Sequence, residues 1–494
     1  MSFLAIPWVY WTIIAVYAAT VLGLAGVIVS ENRNPLKSLA WVTVLLTFPV
    51  GGLLLYIFFG RSIKNTRMIS HRKKRALKRL EEKATLRPAG SEPTVLSREN
   101  AQLAMMAMKL NDSRLITNSR IEIFTSGKEK FECLMTDIRN ARKCVSLQYY
   151  IFEDDELGHR MADLLIEKAK EGVAVRVIYD DIGSIGVRRK FFKRMARAGV
   201  QVHPFFRVAF PPFGSRINWR NHRKIVAIDG KIGYIGGMNV ADRYVNGNKR
   251  FARWRDTHLR VTGAGVAALR YCFAVDWSFM GQPLDMDSES VGQSTEETAA
   301  ASLTSVSGRT SYPASVQLVT SGPTDRWSNI ELLLLKAIGG ARKRVWIQTP
   351  YFLPPDSMLR ALHTAAIARV DVRIMMPRLS DSAILTYASR SYITECLRAG
   401  MKFYFYKGGM LHSKVVIVDD DFSSVGSANI DFRSFEHNFE SNLMIYSLEV
   451  NEQLRHVFSR DMHDCERVRL REWRQRPITH KTAESIMRLL SPVL

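Results

Sequence analysis

The sequence predicts an α/β protein of two homologous domains, preceded by an N-terminal transmembrane helical hairpin. Three observations predict this architecture: two uncharged segments open the chain, strand-like and helix-like segments alternate after residue 116, and one motif occurs twice. The motif H-x-K-x4-D-x6-G-[GS]-x-N begins at His222 and again at His412. Strands that alternate with helices are typical of a mixed, largely parallel sheet flanked on both faces by helices.

Residues 1–60 are predicted to form the hairpin. Uncharged segments run from Phe3 to Val29 and from Leu39 to Phe59, and each is long enough to cross ~30 Å of hydrocarbon. A cleaved signal peptide fits the first segment poorly, because it lacks a basic n-region and a second apolar segment follows. Lys and Arg are the only residues with a permanent charge from 61 to 79. The positive-inside rule therefore places this flank and everything after it in the cytoplasm.

The remaining boundaries follow from composition and internal repetition. Residues 61–115 form a basic helical connector, 116–280 the first domain, 281–315 a Ser/Thr/Glu-rich linker, and 316–494 the second domain with a basic tail. From Val200 to the first motif is 22 residues, whereas from Met401 to the second is 11. The extra residues include the apolar stretch 208–213, which is interpreted either as a packed surface loop or as a lipid-facing one.

The motif spacing suits phosphate chemistry. In an extended strand, residues two apart share a face, so His222 and Lys224 lie together, as do His412 and Lys414. Lysine, histidine and amide donors that converge on one point suit a phosphate, and histidine can either attack phosphorus or transfer a proton. The candidate catalytic residues are His222, Lys224, Asp229, His412, Lys414 and Asp419, with Asn239 and Asn429 as candidate phosphate ligands.

Each histidine is expected to have an acid that orients its ring and stabilises the imidazolium. Asp256 is the candidate for His222 and Glu440 the candidate for His412, because each acid precedes the next strand of its own repeat. The alternative is that these acids make surface salt bridges only.

These residues resemble the phospholipase D superfamily. Further segments resemble its bacterial cardiolipin synthases: Gln148-Tyr-Tyr-Ile, Trp254-Arg-Asp-Thr-His, Thr349-Pro-Tyr-Phe-Leu-Pro and Ser491-Pro-Val-Leu. The resemblance implies a pseudo-dimer with one shared active site, a phosphatidyl-histidine intermediate favouring His222 as nucleophile, and neither metal nor cofactor. It also implies a multi-pass protein of the bacterial inner membrane.

The implied reaction joins two phosphatidylglycerols into cardiolipin and glycerol. The alternatives are a phospholipase D that uses water, a transferase with another acceptor, a phosphodiesterase or nuclease, and a non-catalytic membrane scaffold. The net charge of +23 indicates an anionic partner. The hairpin favours an anionic membrane, and we find no nucleic-acid-binding module. Five cysteines without a C-x-x-C pair predict free thiols rather than disulfides.

Overall fold

The structure, a computed structural model, describes residues 7–30, 35–48, 51–52, 56, 68, 70–84, 96–207, 218–282, 309–489 and 491. The chain divides into two compact units, one drawn from residues 1–63 and 208–219 and the other from 64–207 and 220–494. The apolar stretch 208–213 and most of the predicted linker 281–315 lie outside the described residues.

The described residues of the N-terminal unit include the helices Pro7–Ser30 and Pro35–Thr47. They pack on each other, and the Tyr17 hydroxyl donates to the carbonyl oxygen of Leu45 at 2.7 Å. Within the described residues, no helix combines the length and the apolar character that crossing a membrane requires.

The large unit is built around one sheet of fifteen strands, with two further two-stranded pairs. The strands are β1 Ile116–Phe124, β2 Cys144–Tyr149, β3 Ala174–Tyr179, β4 Gln201–Pro204, β5 Ile225–Ile228, β6 Ile232–Gly236, β7 Trp254–Arg255, β8 His258–Gly263, β9 Tyr312–Ser321, β10 Arg344–Gln348, β11 Phe352–Leu353, β12 Asp371–Pro377, β13 Lys402–Tyr406, β14 Met410–Leu411, β15 Val415–Val418, β16 Phe422–Gly426, β17 Ile430–Asp431, β18 Glu440–Tyr446 and β19 Cys465–Val468. The sheet order is β19-β13-β12-β10-β15-β16-β18-β9-β1-β8-β6-β5-β2-β3-β4.

Apart from β19 at one edge, this order is symmetric about the junction of β1 and β9, the first strands of the two halves. They pair antiparallel, with Ile121 opposite Tyr312. On either side of the junction, strands of equivalent position follow in the same sequence, so β5 and β15, which carry the two motifs, correspond. The halves (residues 116–280 and 309–491) therefore form a pseudo-dimer joined through a continuous sheet.

The sheet is mixed, as predicted, but the prediction that it is largely parallel is wrong. Among the described strands of the large sheet, only β2–β3, β3–β4, β10–β12 and β12–β13 pair in parallel. Parallel pairing needs a crossover helix, and helices connect these strands. Each motif strand instead forms a tight antiparallel hairpin with the next strand, β5 with β6 and β15 with β16. The second strand of each hairpin then pairs antiparallel with β8 or β18. Antiparallel pairs consequently fill the centre of the sheet.

Helices cover both faces of the sheet, as predicted. Those of the large unit are His71–Ala84, Arg98–Asn111, Gly127–Arg139, Glu156–Lys170, Arg189–Arg197, Arg243–Asn246, Val266–Phe279, Asn329–Gly340, Asp356–Ile367, Ala383–Ser391, Ile393–Arg398, Phe432–Glu436, Leu448–His463, Leu470–Arg474 and Ile478–Leu489. On one face, each half has its own apolar core. On the other, helices Val266–Phe279 and Leu448–His463 cover a core shared by both halves. The five cysteines are free thiols, as predicted.

Candidate functional site

Each motif histidine bonds to a carboxylate from the opposite half of the chain. His222 Nδ1 lies 2.9 Å from Glu440 Oε1 and 3.1 Å from Oε2. His412 Nδ1 lies 2.7 Å from Asp256 Oδ2. The structure brings all four predicted residues into two histidine–acid pairs, but it reverses the partners. The predicted pairing of Asp256 with His222 and of Glu440 with His412 is wrong.

Main-chain hydrogen bonds between the halves explain why the partners cross. The His222 N–H donates to the carbonyl of Phe439 at 2.9 Å, so the residue before Glu440 lies beside the first histidine. The His412 N–H donates to the carbonyl of Arg255 at 2.7 Å, one residue before the acid of the first half. The short parallel pair β14–β7 continues this second contact. Each pair is therefore assembled from both halves.

The two carboxylates are fully buried and accept further hydrogen bonds. Glu440 accepts from Ser427 Oγ and, at 3.3 Å, from Asn438 Nδ2. Asp256 accepts from the main-chain N–H of Thr257 at 2.7 Å. Because an ionised carboxylate can only accept, each neutral imidazole donates its Nδ1–H to the acid. Nε2 then carries the lone pair that a nucleophile or a base needs.

Burial decides the protonation state of the histidines. It lowers the pKa of His222 to about 4, against the opposing charge of Glu440. Burial and the charge of Lys414 lower the pKa of His412 to about 4. Although burial opposes it, His222 and Lys224 lower the pKa of Glu440. At neutral pH, the resting site holds two neutral imidazoles and an ionised Glu440.

The two motif lysines place positive charge beside the histidines. Lys414 Nζ lies 2.8 Å from His412 Nδ1 and 3.3 Å from Nε2. Lys224 Nζ donates to the main-chain carbonyl of His222. Burial lowers the pKa of Lys414 to about 8 and lowers the pKa of Lys224 well below its usual value. Lys414 also lowers the pKa of His222, so both motif copies act on one electrostatic site.

Aromatic rings surround the histidines. The ring centre of Tyr150 lies 4.9 Å from that of His222, and those of Tyr244 and Trp254 lie 6.0 and 5.9 Å from that of His412. The motif pattern does not identify Tyr150 or Tyr244 as site residues. The position of Tyr150 could have identified it from the sequence, because it directly follows β2, the strand that pairs with the first motif strand.

Asp229 and Asp419 are not in the site, so their prediction as catalytic residues is corrected. Each lies at the far end of its motif strand, roughly 16 Å of extended chain from the motif lysine. The Asp229 carboxylate accepts from the main-chain N–H groups of residues 142–144 at 2.7–2.8 Å. Asp419 accepts from those of residues 342–344 at 2.7–3.2 Å. Both have positive φ, 51° and 50°. The two aspartates therefore hold their hairpin turns against the starts of the neighbouring strands, β2 and β10.

The two asparagines lie in the loops that end the motif copies. Asn239 Nδ2 donates to the Tyr244 hydroxyl at 2.8 Å, and Asn429 Nδ2 donates to Asp431 Oδ2 at 2.9 Å. Because each amide nitrogen carries a second N–H, phosphate binding by these residues stays a prediction. Within the described part of the chain, no group of three or more His, Cys, Asp or Glu is placed to hold a metal ion.

Two H-x-K motifs whose histidines exchange acids across a pseudo-two-fold axis define a phosphodiester-transferring protein of the phospholipase D type. Comparison with known proteins identifies the group within this class. A family model described as "Cardiolipin synthase, PLD-like domain" matches residues 134–252 and 334–462. A second model, described as a phospholipase D-nuclease N-terminal segment, matches residues 13–61. The chain belongs to the cardiolipin synthase family of the phospholipase D superfamily.

Individual relatives support this assignment over nearly the whole chain. Cardiolipin synthase 2 of Bacillus anthracis is 40% identical over 473 residues, which cover 95% of this chain and 89% of the relative. The major cardiolipin synthase of Bacillus subtilis is 38% identical over 482 residues, 95% and 96% of the two chains. Among solved structures, phosphatidylserine synthase of Haemophilus influenzae shares the fold, with a TM-score of 0.60 at 14% identity, over 80% of this chain and all of that one.

Proposed function

We propose that the protein is a phosphatidyltransferase that converts two phosphatidylglycerols into cardiolipin and glycerol. The observation that carries the proposal is the pair of buried neutral histidines, each bonded at Nδ1 to an acid of the other half and flanked by a motif lysine. Its relatives of about 40% identity are named cardiolipin synthases.

In the first step, Nε2 of one histidine attacks the phosphorus of a phosphatidylglycerol. The phosphorus–oxygen bond to the terminal glycerol breaks, and the second histidine gives its proton to the departing oxygen. In the second step, that histidine, now neutral, takes the proton from a hydroxyl of the second phosphatidylglycerol. The deprotonated oxygen forms the new phosphorus–oxygen bond while the phosphorus–nitrogen bond breaks. The lysines stabilise the non-bridging oxygens as phosphorus becomes five-coordinate.

These two reaction steps need one neutral and one protonated imidazole, whereas the resting site holds two neutral ones. A bound phosphodiester brings negative charge next to both rings and favours the protonated form. The substrate therefore supplies the field that charges the acid histidine. Lys414, whose pKa is lowered to about 8, also regains its full charge when the anion binds.

We assign the nucleophile to His222 and the acid to His412. Support comes from the resemblance to the phospholipase D superfamily, which favours the histidine of the first motif as the nucleophile. With a substrate that carries a good leaving group, no acid is needed. His412→Asn should then still form a covalent lipid adduct, and His222→Asn should not. An adduct on His412, located by peptide mass spectrometry, would reverse the assignment.

We further propose that residues 1–60 form a transmembrane hairpin of the bacterial inner membrane and that the catalytic unit lies on the cytoplasmic side. The uncharged segments Phe3 to Val29 and Leu39 to Phe59 support this, together with the basic flank that follows. The first described helix also exposes large apolar rings, with Trp8 and Trp11 exposed by 69% and 65%. Cysteine-accessibility labelling at each helix end in intact cells would test the topology.

The purified full-length chain, in detergent with phosphatidylglycerol, tests the function. We expect cardiolipin and glycerol in equal amounts by mass spectrometry, and no product with His222→Ala. Phosphatidic acid in place of cardiolipin would show that water is the acceptor. Adding alternative alcohols to the same assay would reveal a transferase with another acceptor.

A further inference from the structure

A buried arginine–aspartate pair lies behind the first histidine. Asp276, in the helix Val266–Phe279, accepts from Arg223 Nη1 at 2.6 and 2.7 Å and from Gln148 Nε2 at 2.6 Å. Arg223 lies between the motif histidine and lysine, so its side chain points away from theirs. Its Nε donates to the main-chain carbonyl of Glu440 at 3.1 Å. The first buried pair, Arg223–Asp276, thus holds the backbone of the acid that bonds to the first histidine.

A second pair repeats this arrangement behind His412. Asp461, in the helix Leu448–His463, accepts from Arg255 Nη2 at 2.7 Å and from Gln348 Nε2 at 2.9 Å. Arg255 Nη1 donates to the main-chain carbonyl of Asp256 at 2.6 Å. The second buried pair, Arg255–Asp461, therefore holds the backbone of the acid that bonds to His412.

In both pairs the arginine bonds to a helical aspartate and to the main-chain carbonyl of an orienting acid, but the two arginines come from different positions in their repeats. Gln148 and Gln348 are equivalent, each opposite the first residue of a motif strand. The arginines are not equivalent, because Arg223 lies inside the first motif whereas Arg255 precedes Asp256. In the second motif the inner position is Ser413, whose hydroxyl accepts from Arg255 Nη1 at 2.9 Å.

Stability alone does not account for these pairs. All four charged side chains are at most 5% exposed, and burying an ion pair is often no more stabilising than packing apolar side chains. What the pairs share is a hydrogen bond to the main chain of an orienting acid. A shift of that main chain would move the carboxylate relative to Nδ1 of its histidine.

We propose that Asp276 and Asp461 are positioning residues for the phosphatidyl transfer. Each fixes, through its arginine, the main chain of the acid that orients one histidine: Asp276 acts on the Glu440–His222 pair and Asp461 on the Asp256–His412 pair. This inference rests on the proposed function, and cardiolipin formation by the wild-type protein tests that function separately.

The first test is turnover of Asp276→Asn and Asp461→Asn in the full-length protein. Each should lower kcat by about 10- to 100-fold, the loss typical when a support of a functional side chain is removed, with KM within about twofold. Asp137→Asn is the matched control. Asp137 is also a buried helical aspartate bound to a buried arginine, Arg260 at 2.8 Å. Among the described residues, Arg260 bonds to Asp137 and Glu122 and not to the main chain of an orienting acid. The kcat of Asp137→Asn should stay within about twofold of wild type.

The pH dependence of kcat supplies a readout that a purely structural role would not move. A loosened carboxylate stabilises the imidazolium less, so the pKa of its histidine falls. Asp276→Asn should shift one limb of the profile to lower pH, and Asp461→Asn the other limb. The other charges that act on the histidines, Lys224, Lys414 and Asp381, are unchanged in both variants.

A double variant separates positioning from folding. Arg223→Met with Asp276→Asn removes both charges of the first buried pair, so no uncompensated charge stays buried. We expect thermal stability to recover relative to Asp276→Asn while kcat stays low. Recovery of wild-type kcat in the double variant would overturn the proposal, as would losses no larger than that of Asp137→Asn. Wild-type protein that forms no cardiolipin would overturn the proposed function instead.

Discussion

The crossed pairing of histidines and acids makes a prediction about Glu440→Gln. Glutamine keeps the size of the side chain but removes the charge that receives the Nδ1–H of His222. A hydrogen bond to a charged group contributes about 1.5–3 kcal/mol, and the imidazolium character that needs this bond develops during attack. At about 1.4 kcal/mol per tenfold in rate, attack should slow by roughly ten- to two-hundred-fold.

The assay is the burst of covalent lipid adduct in the His412→Asn background, with a substrate whose leaving group needs no acid. In that background only the His222 pair contributes. Adding Glu440→Gln should lower the burst rate by the full factor, and adding Asp256→Asn should leave it within about threefold. If Asp256→Asn is the damaging change and Glu440→Gln is harmless, the crossed arrangement is refuted.

Three further predictions follow from the same geometry. His222→Ala, His412→Ala and Lys414→Ala should each abolish most turnover, measured as cardiolipin formed, while expression and membrane insertion stay intact. Asp229→Asn and Asp419→Asn should each lower the free energy of unfolding, measured by urea denaturation, by about 1–2 kcal/mol, because each loses charge-assisted hydrogen bonds at the turn. Both variants should keep kcat within about threefold of wild type. The histidine pKa values lie below those of the unfolded chain, so the unfolded state binds more protons between pH 6.5 and about 4. As the pH falls from 6.5 to about 4, the free energy of unfolding should therefore decrease by about 3 kcal/mol per histidine. Above pH 6.5 these two histidines should not affect it, and in His-to-Asn variants the decrease should be smaller.

Local patterns predicted the parts of the site that depend on local structure. The motif strands Ile225–Ile228 and Val415–Val418 are β5 and β15, and every residue of both is buried. A short run of β-branched or small apolar residues without alternation, followed by a turn, is typical of a strand covered on both faces. The same rule places a histidine and a lysine on one side of the strand entrance.

Two predictions fail because the order of residues along the chain does not determine where they lie in the sheet. Asp229 and Asp419 are five residues from the motif lysines, but an extended strand carries them to its opposite end, where they accept hydrogen bonds from main-chain N–H groups. Helix–strand alternation favours a parallel sheet, and it predicts the parallel pairing of the outer strands correctly. Alternation contains no information about the hairpins that carry the motifs or about the strands that return beside them.

The exchange of acids is the larger lesson, because it follows only from the way the halves meet. Glu440 is 28 positions from His412 and 218 from His222, so sequence proximity favours the wrong partner in each half. The returning strands β8 and β18 pair with β6 and β16, the second strands of the motif hairpins of their own halves. The main chain just before β15 and β18 instead bonds to the other half. Each histidine is consequently bonded to the main chain that carries the other half's acid. Such a site cannot lose one half and keep a weakened reaction, because separating the halves removes both acids from their histidines at once. The continuous sheet and the shared core beneath it are therefore part of the catalytic apparatus: they fix the one distance, from acid to imidazole, that neither repeat sets by itself.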